Sequence, residues 1–241
     1  MAPRLPRILA TCLLAAPLAL WSAPASATVR TCFGQPATIV GTAGDDTLVG
    51  QSGVADVIWA GGGNDFISGG GWEGETLPER PADLLCGGPG NDGVRGGPGD
   101  DRISGGDGDD DVRGTWGADV MQGNAGNDRI IDESFHDADS ANDVLRGGSG
   151  DDFLGTAWGI DRAYGEAGND TLVDWECHKT YLYGGSGADT FESWWSSYDG
   201  DYCDHVADVI NGGEDHDTAQ SSSSDRVTTV EDNVRMIAPL D

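Results

Sequence analysis

Between Gly87 and Arg113 the chain places one large apolar residue in every nine. The three units read GGPGNDGVR, GGPGDDRIS and GGDGDDDVR, with Val94, Ile103 and Val112 at the eighth position. Each fits Gly-Gly-x-Gly-x-Asp-x-U-x, where U is the apolar residue, and no residue separates the units. The glycine clusters permit the positive-φ backbone of tight turns. A short fixed period in tandem predicts a solenoid. The expected fold is all-β, a right-handed parallel β-roll.

Aligned on the sixth-position Asp, the pattern runs from residue 41 to residue 220. Seventeen units result, sixteen of them with Asp at that position; Thr180 is the exception. Five units depart from nine residues: 50–59, 69–86, 132–146, 174–183 and 193–211. Residues 28–40 and 221–241 fall outside the pattern. They read as N- and C-terminal caps, because the end repeats of a solenoid need atypical sequences over an open core. Arg226 to Val230 is a candidate closing strand.

Composition changes the picture at the N-terminus. Arg4 and Arg7 precede a short apolar run, Ile8 to Leu20, and Ala25-Ser26-Ala27 offers a small-residue cleavage site. Residues 1–27 therefore read as a secretory signal peptide cut after Ala27, and the expected location is extracellular. The apolar run is too short and Pro-broken to span a membrane, and no other stretch qualifies. Beyond residue 27 there are 11 basic and 42 acidic residues, a net charge of −31. Such a charge argues against nucleic acid or an anionic membrane as partner. It needs either disorder or bound cations. Turns with inward carbonyls and carboxylates suit a hard cation that wants six to eight oxygens.

The units resemble those of the RTX (repeats-in-toxin), or haemolysin-type, calcium-binding family. The likeness covers about residues 41–220 and rests on tandem GGxGxDxUx units. It implies that GGxGxD forms a turn and xUx a three-residue strand, that two units complete one coil, and that calcium sits between turns two units apart. The ligands implied are backbone carbonyls and sixth-position Asp carboxylates. With one core side chain per nine ordered residues, the chain is expected to be largely disordered until calcium folds it.

Two units per coil put odd and even units on opposite edges. The odd turns carry no insertions and offer Asp46, Asp65, Asp92, Asp110, Asp128, Asp152, Asp170, Asp189 and Asp217, with up to eight intervening calcium sites. The even edge carries all five length changes. Its central turns, around Asp83, Asp101 and Asp119, can hold one or two further ions, and the ladder is expected to break beyond them. The expected cofactor is thus calcium, roughly eight ions or more.

Every tryptophan after residue 27 lies in an even unit. Trp72, Trp116, Trp158, Trp175, Trp194 and Trp195 form either a recognition face for a glycan or another surface protein, or a set of rings that plug the even edge. Four cysteines remain after residue 27, which suggests disulfides in an exported chain. Cys177 with Cys203 is the preferred pair, joining adjacent coils; Cys32 would then pair with Cys86. Three connectivities are formally open. A zinc site from Cys177, His178, Cys203 and His205 matches no standard spacing. No His-Glu-x-x-His, Gly-x-Ser-x-Gly or P-loop occurs, so an enzyme is not expected. Two classes stand: a structural or calcium-sequestering protein, and an adhesin-like or carbohydrate-binding module.

Overall fold

In the computed structural model the residues described are 29–71, 81–133, 141–175, 178–193, 209–220, 226–227 and 235–237. Among these residues there are two ten-stranded sheets, and every strand pair within them is parallel. One sheet collects the odd units, from Thr47–Val49 through Asp111–Trp116 to Arg235–Ile237. The other collects the even units, from Ile39–Val40 through Arg102–Asp107 to Arg226–Val227. The chain alternates between them. Two units therefore make one coil, and the fold is a parallel β-roll.

The register explains why the repeat tolerates insertions. Val112 stands opposite Val94 and Ile130, each eighteen residues away. Where a unit is longer, the apolar residue still finds its column: Ile58 stands opposite Leu85, and Met121 opposite Leu145. Extra residues fall in the turns, while the eighth position stays in line. Among the described residues, those columns together with Ala60 form the core cluster. Ile58, Ile67, Leu85, Val94, Ile103, Val112, Met121 and Ile130 are fully buried, and the series continues to Ala219.

The N-terminal residues do not simply sit over the open end. An antiparallel hairpin, Thr31–Cys32 with Gln35–Pro36, lies along the even sheet. The Arg30 guanidinium stacks on the Trp59 ring at 4.4 Å, Cys32 is disulfide-bonded to Cys86, and Arg102 stacks on Phe33 at 4.4 Å. These contacts touch three successive strands of that sheet, Val57–Trp59, Leu84–Pro89 and Arg102–Asp107. At the other end, Arg226–Val227 pairs with the strand Val209–Glu214, and Arg235–Ile237 with Thr218–Gln220. Both sheets thus continue past residue 220.

Candidate metal centre

The sixth-position aspartates form two ladders, one on each edge. Each backbone N–H of one Asp donates to the Oδ1 of the Asp in the following coil. On the odd edge the chain of bonds runs without a gap from Asp46 to Asp217, at 2.7–2.9 Å. On the even edge it runs from Asp56 through Asp83, Asp101, Asp119 and Asp143 to Asp161, at 2.6–2.9 Å. One oxygen of every carboxylate after the first in each ladder is thereby fixed by the protein itself.

The second oxygen is different. The Oδ2 atoms of Asp65, Asp92, Asp110, Asp128, Asp152, Asp170 and Asp189 are buried with no hydrogen-bond partner, as are those of Asp101, Asp119, Asp143 and Asp161. A buried polar atom without a partner is costly, and a buried charge is normally paired or bound to a metal. The first aspartate of each ladder is satisfied otherwise. Asp46 Oδ2 accepts from the Thr42 N–H at 2.6 Å and its hydroxyl at 2.9 Å, and Asp56 Oδ2 accepts from the Gln51 N–H at 2.6 Å.

The glycines make room for these oxygens. A Cβ placed on Gly105 would fall under 3.0 Å from Asp110 Oδ2, and the first glycine of every regular unit meets its own Asp in the same way. At the second and fourth positions the neighbour is backbone. A Cβ on Gly106 or Gly108 would strike the carbonyls of Gly88 and Gly90 in the preceding coil, and both glycines have φ above +120°. Carboxylate oxygens and backbone carbonyls thus crowd the same turns. This all-oxygen donor set fits calcium.

Electrostatics point the same way. Burial raises the carboxyls of Asp92, Asp128 and Asp170 to about 6 and those of Asp83, Asp152 and Asp189 to about 7. Asp101, Asp110 and Asp161 rise to about 8 and Asp119 to about 9. Asp143 is raised too, by burial first and then by the charges of Asp132 and Asp119. Burial thus makes charge on these columns costly unless a cation compensates it.

The profile of the RTX calcium-binding nonapeptide repeat matches residues 40–71, 86–121, 113–134, 137–163, 156–174 and 181–194. The chain belongs to this RTX family. No curated protein matches it. RTX repeats bind calcium, and the buried Asp ladders of this roll fit that activity.

Within the RTX roll, all twelve aspartates named from the sequence stand in the two ladders. The even ladder does not break after Asp119, as the sequence suggested, but continues through Asp143 and Asp161. The insertion in residues 132–146 leaves the strand register intact, so Asp143 N–H still meets Asp161 Oδ1 at 2.9 Å. The signal was present in the sequence: each of the two directly precedes an apolar-centred triplet, Val144-Leu145-Arg146 and Arg162-Ala163-Tyr164. At Thr180 the carboxylate is missing, though its carbonyl still accepts the Val209 N–H at 3.0 Å.

The even-edge rings that are described are half-buried. Trp158 packs on His178 with centroids 4.8 Å apart, Trp175 covers Gly155 and tilts against Phe153 at 6.1 Å, and Trp116 ends the strand Asp111–Trp116. Trp72, Trp194, Trp195, Cys177, Cys203 and His205 lie outside the described residues, as do residues 1–27.

Proposed function

We propose that this chain is an exported calcium-binding roll that folds when calcium enters the gaps between stacked turns, and that its role is structural or calcium-sequestering. The observation that carries the reading is the set of eleven buried Oδ2 atoms in line along two edges, each without a partner. A divalent cation between successive coils would satisfy two carboxylates and the carbonyls beside them. The odd ladder of nine aspartates has eight such intervals, which supports roughly eight ions or more. Export rests on the composition of residues 1–27, which also suits an oxidising setting for Cys32 and Cys86.

In this reading the chain does no catalysis. The paired carboxylates a hydrolase would need are already committed to the ladders. The alternative, glycan or partner binding by the tryptophan-rich edge, draws less support, because Trp158 and Trp175 are engaged by His178, Phe153 and Gly155. Packing of that kind suits rings that close an edge.

Far-UV circular dichroism of the chain without its first 27 residues, titrated with calcium from a chelated start, tests the proposal. β-Structure should appear cooperatively, and equilibrium dialysis should count at least about eight ions per chain, one per interval of the odd ladder. A spectrum indifferent to calcium would refute it.

A further inference from the structure

One interval of the even ladder differs in chemistry from all the others. In the regular units the first position is glycine, whose missing side chain would point at the Oδ2 of that unit's own Asp. The unit 132–146 has Asp132 at this position instead. Carboxylate oxygens of Asp132, Asp143 and Asp161, one from each, lie within 4.8 Å of one another. All three residues are at most 1% exposed.

Two of its three carboxylates are incompletely satisfied from within. Asp132 Oδ2 accepts the Ala157 N–H at 3.2 Å, and Asp143 and Asp161 each accept one N–H on Oδ1. The Oδ2 atoms of Asp143 and Asp161, both fully buried, have no partner, and each residue contributes a carboxylate oxygen to the cluster. The charge of Asp119 adds to the field, while the Arg162 guanidinium, placed over the Tyr181 ring at 5.2 Å, offsets part of it. Three carboxylates cannot all ionise in such a place without a cation.

We propose that Asp132, Asp143 and Asp161 hold one calcium ion in a three-carboxylate site that binds more tightly than the two-carboxylate intervals of the ladders. It rests on the calcium reading of those ladders and adds to it a ligand from outside the sixth position. For oxygen sites of similar rigidity, affinity for calcium rises with the number of charged ligands.

Release kinetics from the calcium-loaded chain, mixed with a fluorescent chelator, test the assignment. Tighter sites among related ones differ mainly in dissociation rate. One ion per chain should leave about tenfold more slowly than the rest, or slower still. D132N should abolish the slow ion, and D132G, which restores the glycine of the regular units, should do the same. Both variants should keep the calcium-induced β-signal. A single release phase in the unaltered chain, or a slow ion retained in D132N, overturns the proposal. Should neither variant fold, the phases of the unaltered chain decide alone. Absence of any calcium-induced β-structure in the unaltered chain would overturn the ladder reading as well, so the two failures are distinct.

Discussion

Substituting Gly105 by Ala isolates what the first glycine of a unit does. Gly105 does not have a left-handed φ, so alanine meets no backbone strain there. The added Cβ would nonetheless lie under 3.0 Å from Oδ2, Cγ and Cβ of Asp110. The carboxylate must swing away, and the Asp92 N–H, now bound to Asp110 Oδ1 at 2.8 Å, loses its acceptor. An orphaned buried donor costs about 1–3 kcal/mol. Crowding a packed site adds about 1–3 kcal/mol more. Taking about 4 kcal/mol shared over about eight cooperative ions, each ion loses about 0.5 kcal/mol, and the calcium midpoint rises about twofold. In saturating calcium the melting temperature should fall by about 8–16 °C. Gly44 is the control: it too lacks a positive φ, and a Cβ there meets nothing within 4 Å. Alanine at Gly44 should be neutral or stabilise by up to about 1 kcal/mol. The reasoning fails if G105A titrates and melts like the unaltered chain, or if G44A is as damaging.

Three further outcomes are expected. The carboxyls raised by burial make the calcium-free folded state bind more protons than the unfolded one, so its stability falls as pH rises from about 4 through the folded values of about 6 to 9. In chelator, β-structure should be greatest near the acid end and vanish toward neutrality; circular dichroism showing it rise with pH would contradict this. Leu145→Ala, at a fully buried core position, should cost about 2–5 kcal/mol in thermal melts with calcium, whereas Val49→Ala, 57% exposed, should stay within about 0.5 kcal/mol. Replacing Cys32 and Cys86 together by Ser opens a closure spanning 54 residues and should lower stability by about 4 kcal/mol; an unchanged denaturation midpoint would argue against the bridge.

Much of the fold was legible because the period is strict. Aligning on Asp was enough to assign Val94, Ile103 and Val112 to one core and to separate odd from even strands. The central ladder residues, such as Asp92 and Asp110, followed from the same alignment. What the sequence obscured lay in the irregular units. An insertion looks like a break when units are read along the chain, yet strand pairing acts across coils, and Leu145 keeps its place opposite Met121 whatever the turn length. Asp143 and Asp161 were hidden for that reason. Asp132 was harder still. Its role depends on where a first-position side chain points, which a column of glycines cannot reveal. The hairpin was also unreadable, since residues 28–40 carry no period.

The contacts of Arg30, Cys32 and Phe33 cross three neighbouring strands of the even sheet from outside. In a stack where each coil touches only its neighbours, the first ordered coil is the expensive one, because later coils add to an existing template. A covalent and aromatic strap over the earliest coils lowers that initial cost without any ion. Order in this chain should therefore start at the amino-terminal end and travel one way, with the metal supplying the energy of propagation and the strap choosing the origin.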